Sequence, residues 1–217
     1  MTKKNHIFAF AFILLSAFLL GSCSKDTPQP EVEQEEPDSA LLTFIKLDAN
    51  GNETPTKITV DFKDLSHDHD HGHAHARTVS VSAQEEEHDH DHTHIHLDPN
   101  STYRLQIEMY RKGEMINNEF IKAADEHQFF FFAKDEEGKP VANFFNYVYE
   151  DRDQNSLPIG LKGRFSTLGA GTADIQVILS HGLDKSKVPA GVYNYANYSL
   201  IGDTDMDQTF ELHIEVE

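Results

Sequence analysis

Residues 101–110, STYRLQIEMY, place Tyr103, Leu105, Ile107 and Met109 on one side of an extended chain and Arg104, Gln106 and Glu108 on the other. Successive side chains of a β-strand point to opposite faces, so this alternation predicts a strand with one buried and one wet face. The same period recurs on either side. TFIKL (Thr43 to Leu47) runs to the Asn50-Gly51 turn, and KITVDF puts Ile58, Val60 and Phe62 on one face. Downstream, HQFFFFA and VANFFNYVYE are apolar enough to be buried on both faces, and LKGRFSTL and DIQVILSH follow each other across a GAGTA turn. In the last stretch, DQTFELHIEVE, Phe210, Leu212, Ile214 and Val216 are expected to face in, with Thr209, Glu211, His213 and Glu215 outward. One helix is expected, over Glu119 to Glu126, capped by Asn118. Seven or eight short strands without strand-helix-strand alternation predict a mainly β chain. The expected architecture is a single antiparallel β-sandwich, immunoglobulin-like or transthyretin-like, over residues 40–217, with one short helix and a flexible His-rich insertion at about 66–97.

A chain of 217 residues can fill one good core. Its 18 basic and 37 acidic residues give a net charge of −19, which disfavours nucleic acid and anionic membrane surfaces and draws in cations. Lys3 and Lys4 precede a fourteen-residue apolar run, Ile7 to Leu20. That run is too short to cross a hydrocarbon layer of about 30 Å as a helix and reads as the core of a signal peptide over residues 1–22. The following Leu20-Gly21-Ser22-Cys23 resembles the bacterial lipobox, which implies cleavage before Cys23 and attachment of acyl chains to its sulfur, a durable membrane anchor. The alternative, a spare thiol after an ordinary cleavage, needs small residues and a sole cysteine to coincide at the end of such a run. Ser24 next to the lipidated residue favours the outer membrane, on a side the sequence leaves open. Residues 24–39, with three prolines, six acids and one valine, cannot build a core and read as an extended acidic tether.

Cys23 is the only cysteine, so no intrachain disulfide forms and any metal must be held by His, Asp or Glu. The chain supplies these in two alternating runs, HDHDHGHAHA and HDHDHTHIH, containing His67, His69, His71, His73, His75 and His88, His90, His92, His94, His96. An imidazole titrates near 6.5 in model peptides, so at pH 7 such rings are mostly neutral and can act as ligands; the interleaved Asp68, Asp70, Asp89 and Asp91 add oxygen donors and negative potential. In an extended chain, residues i and i+2 project to the same side ~6.6 Å apart, close enough for one H-x-H pair to converge on one ion. The second run can complete the shell if the chain between them, TVSVS and a Gln/Glu-rich stretch, folds back. His92, His94 and His96 are the best candidates for an ordered site, because Ile95 and Leu97 can anchor that end into the sheet. Zinc fits the ligand type; imidazole also suits copper and nickel, and the affinity order for a loose site favours copper.

His127 and His181 form a separate candidate pair for a second metal site. His181 continues the Ile175, Val177, Leu179 face, as a core or rim histidine would, and His127 stands beside Asp125 and Glu126. Asp151, Asp153 and Asn155 have the spacing that opens a calcium loop, but glycine is missing at the sixth place and Lys162 occupies the position of the bidentate acid. Asp203, Asp205 and Asp207 read as a polar turn before the last strand. No nucleophile elbow, phosphate-cradling glycine loop or helical H-E-x-x-H occurs, so the chain is expected not to be an enzyme. Two other classes stay in view: a structural or adhesive surface module whose His-rich loop is incidental, and a metallohydrolase of unfamiliar type.

DEHQFFF (Asp125 to Phe131), YEDRDQNSLPIGL (Tyr149 to Leu161), ILSHG (Ile178 to Gly182) and GDTDMDQTF (Gly202 to Phe210) together resemble a family of small Bacteroidota lipoproteins. Its members often carry the label "type 1 periplasmic binding fold superfamily protein", a fold the strand pattern does not support. The resemblance covers roughly Leu41 to the C-terminus apart from the histidine region. It implies an outer-membrane lipoprotein with a compact β-domain, in a setting where neighbours are commonly TonB-dependent receptors, and it offers no catalytic residues to transfer.

Overall fold

Aromatic rings from two layers meet in the middle of the molecule. Phe44 packs edge-on against Phe210 at 6.0 Å, Phe62 lies 6.4 Å from the same ring, and Phe131 and Tyr147 approach to 4.3 Å. The computed structural model describes residues 37–65, 76–78 and 94–216. The predicted signal segment, Cys23 and the tether as far as residue 36 lie outside the described residues. So do His67, His69, His71, His73, His75, His88, His90 and His92, with Asp68, Asp70, Asp89 and Asp91.

The strands are β1 (Ser39–Leu47), β2 (Glu53–Lys63), β3 (Ala76–Thr78), β4 (His94–Leu97), β5 (Thr102–Arg111), β6 (Glu114–Met115), β7 (Gln128–Lys134), β8 (Phe145–Tyr149), β9 (Lys162–Thr167), β10 (Gly171–His181) and β11 (Asp203–Ile214). One sheet has the order β3-β2-β1-β5-β9-β8, with β6 folded back on β5, and the other runs β4-β11-β10-β7. The chain is thus mainly β, with two sheets packed as a sandwich. The expected alternation holds where it was clearest: Tyr103, Leu105, Ile107 and Met109 are buried, as are Val60 and Phe62. The turn joining β1 to β2 is built by Asp48, whose carboxylate accepts the N–H groups of Asn50 and Asn52 at 2.8 Å, with Gly51 at φ +82°.

Several local expectations need correction. The sheets are antiparallel throughout the described strands except where β4 runs parallel to β11. The helix, α1, is Asn117–Lys122 and has no side-chain cap from Asn118. The neighbouring Asn117 side chain accepts from the Met109 N–H and donates to the Ile107 carbonyl, both at 2.7 Å, so tertiary contact with β5 sets where this helix starts. β8 buries only one face, with Val148 exposed, because the second sheet covers only the inward side of the first. Val216 is exposed, since β11 ends at Ile214. By contrast Phe129, Phe130 and Phe131 are all buried, Phe130 in a small outer cluster with Ile178 and Leu183.

A buried ion pair ties down the segment that follows α1. Lys185 Nζ donates to the Ala124 carbonyl at 2.7 Å and to the Asp153 carboxylate at 3.0 Å, with the two side chains 2% and 1% exposed. Asp153 also accepts the N–H groups of Asn155 and Leu157, and Asp151 those of Gly160 and Lys162. The carboxylates at calcium-like spacing therefore organise their own loop. Burial alone would raise the Asp153 carboxyl, but the Leu157 N–H and the Lys185 ammonium outweigh it and hold the group below its ordinary value. Asp153→Ala strands a buried charge and is expected to cost about 3–5 kcal/mol in denaturant unfolding. A carboxyl held low in the folded state stabilises fully above its unfolded value near 4, and that contribution is lost as pH falls through the folded value. The stability gap between wild type and variant should therefore narrow below about pH 4.

Candidate metal centre

β4 is only four residues long, HIHL, yet it is firmly held. Ile95 and Leu97 are buried at 2% and 1% exposure, each contributing on the order of 1.5–3 kcal/mol of apolar burial, and His94 and His96 point outward between them. Its exit is bolted to the other sheet: Asp98 accepts from Lys46 and from the Tyr103 hydroxyl, and its carbonyl accepts from the Thr167 hydroxyl. Residues 94–97, placed by sequence inside the insertion, are thus a strand of the core.

The parallel register pairs His94 with Glu211 and His96 with His213. Three rings converge on the outer face of the second sheet. His96 and His213 have centroids 5.0 Å apart, and His94 lies 5.5 Å from each. Glu215 Oε1 lies 2.6 Å from His96 Nδ1, and Glu211 contacts His213 Nε2. A carboxylate only accepts, so without an ion these two ring nitrogens carry their hydrogens toward the acids; Glu211 orients the His213 ring from outside the trio, while Glu215 is itself within reach of an ion held by His96 and His213. One ligand atom each from His96, His213 and Glu215 fall within 4.8 Å of one another, a span that side-chain rotation can close around one ion. The cluster is at the surface, so it is open to solvent on the side from which an ion arrives.

Of the predicted ligands, His94 and His96 are in this cluster, while the remaining members of both runs lie outside the described residues. Sequence reasoning missed His213, Glu211 and Glu215, which it assigned to a solvated face. His-x-Glu alternation in ELHIEVE was the available signal. His127 and His181 are brought together as well, with centroids 5.2 Å apart, at the opposite end of the same sheet and beside Asp205.

Glu215→Gln is expected to weaken zinc binding at these rings ten- to hundredfold, read from the zinc-dependent shifts of the His96 and His213 imidazole resonances. Identical titrations would mean that Glu215 neither binds nor orients. No protein-family model, curated protein or solved structure gives a significant match to this chain.

Proposed function

We propose that this is a lipid-anchored metal-binding protein of the cell envelope that captures or buffers divalent transition ions, zinc foremost. The observation that carries the reading is the convergence of His94 and His96, the end of a ten-histidine segment, with His213 of a different strand. A solvated spacer has no need of a buried anchor, whereas a ligand-bearing segment gains from one end being fixed against further ligands. The net charge of −19 concentrates cations around the body before any ring coordinates them. His67, His69, His71, His73, His75, His88, His90 and His92, with Asp68, Asp70, Asp89 and Asp91, supply the capacity, and the strand-borne cluster supplies an ordered terminus. Copper and nickel compete for the same imidazoles, so supply decides the resident ion.

Ordering a long multidentate segment around ions has an entropic cost, which favours graded, roughly micromolar affinity and therefore release as well as capture. In this reading Cys23 carries the anchor, the outer membrane is the site of action, and a TonB-dependent receptor is the natural recipient. No catalytic role is assigned.

Elemental analysis and zinc titration of the mature protein are expected to give several ions per chain. Replacing all ten histidines of the two runs by asparagine should reduce this to one ion or none. Equal capacity in both proteins would overturn the reading. Labelled palmitate should enter the wild type and not Cys23→Ser, and the variant should move to the soluble fraction; labelling of both would place the anchor elsewhere.

A further inference from the structure

At the far end of the second sheet, His127, His181 and Asp205 meet under α1. His181 pairs with Asp203 and Thr172 with His213 along β10 and β11, so this cluster stands about nine residues, roughly 30 Å, from the His96 and His213 rings. The two groups cannot share an ion.

The placement of Asp205 has a specific cause. Leu179 pairs with Met206 but Ser180 pairs with Thr204, so β11 carries one extra residue at this point, and that residue is Asp205. A β-bulge re-aims the side chain it contains, and here the carboxylate is brought between two imidazoles: Asp205 Oδ2 lies 3.5 Å from His181 Nδ1 and 3.7 Å from His127 Nε2. Gly202 lets the strands close up beside it. A Cβ there would stand 2.8 Å from Ser180 Oγ and 2.9 Å from the His181 carbonyl oxygen, and Ser180 Oγ donates to the Asp203 carbonyl.

The ring of His127 is set before any ion arrives. It is fully buried, stacked edge-on against Phe120 at 5.1 Å, and its Nδ1 lies 2.8 Å from the Ala123 carbonyl. A carbonyl can only accept, so Nδ1 carries the hydrogen and Nε2 is the atom directed to Asp205. A backbone carbonyl behind a neutral imidazole is the support that metal-binding histidines use.

Around a tetrahedral ion with bonds of about 2.0–2.1 Å, neighbouring ligand atoms are separated by about 3.4 Å. The two carboxylate–imidazole separations are within a few tenths of that value, and all three ligand atoms lie within 4.8 Å of one another. His181 remains 31% exposed, which gives an ion a way in and leaves the solvent side without a protein ligand from this trio.

We propose that His127, His181 and Asp205 form a second metal site, which takes one divalent first-row transition ion of the zinc class and keeps a coordination position open to solvent. It does not depend on the capture role of the histidine runs. Two imidazoles and one carboxylate with a vacant position are the ligand set of sites that bind water or a small ligand on the ion. Because the His127 ring is already held by packing and the bulge places Asp205, the site loses little freedom on binding and is expected to hold its ion at least tenfold more tightly than the surface rings.

The test uses the mature chain with the ten run histidines and His213 replaced by asparagine, titrated with zinc and, separately, with cobalt(II). One ion per chain should remain, with the visible absorption of four- or five-coordinate cobalt. His181→Ala or Asp205→Asn in that background should remove it while circular dichroism stays unchanged. His127→Ala would empty a fully buried position and disturb packing as well as binding, so the test rests on the other two substitutions. If the background protein binds no stoichiometric ion, or still binds it after both substitutions, the proposal is wrong. Failure of the capture reading would appear differently, as equal capacity in the wild type and the background protein.

Discussion

The parallel pairing of His94–Leu97 with Glu211–Ile214 is the constraint on which the surface site depends. Two buried side chains, Ile95 and Leu97, hold a four-residue strand at the sheet edge, and the period of two then leaves no choice about where the alternate histidines point. The hydrophobic core thus sets where the imidazoles stand. A slip of one residue would bury both imidazoles and expose both aliphatic chains, so register and ligand placement are enforced by the same energy.

The two histidine clusters illustrate opposite ways of preparing a ligand set. At the β4–β11 edge the rings are wet, in contact with Glu211 and Glu215, and continuous in sequence with a long run of similar residues, which in the proposed capture role suits ready exchange of an ion. Beneath α1 the ring of His127 is dry and held by a backbone carbonyl, and a bulge delivers the carboxylate. Desolvation penalises a bare charge there but strengthens any interaction between an ion and the carboxylate once it enters. Lys185 contributes at one remove, because its bonds to Ala124 and Asp153 fix the turn that carries His127.

Much of the fold was legible because the strands are half-buried and alternate cleanly, as in Tyr103 to Met109, and because Asn50-Gly51 marks its turn without ambiguity. The adhesion of Ile95 and Leu97 to the sheet was also readable, since apolar residues alternating with histidine can only be a strand end. What stayed hidden was non-local. Nothing in HIHL announces a parallel partner more than a hundred residues away, so His213 and Glu215 looked like ordinary solvent-facing residues. Asp205 looked like part of a polar turn because a bulge is a property of two strands in register, not of either one alone. The Asn118 cap failed for a related reason: Asn117 bonds to β5 and shifts the start of the helix.

The most direct measurement is an anomalous difference map at the zinc edge from crystals of the mature protein grown with zinc. The proposed capture role predicts a peak between His96 and His213, beside Glu215 and about 2.0–2.1 Å from imidazole nitrogens. Zinc bound elsewhere on the chain, with those two rings uncoordinated, would contradict it.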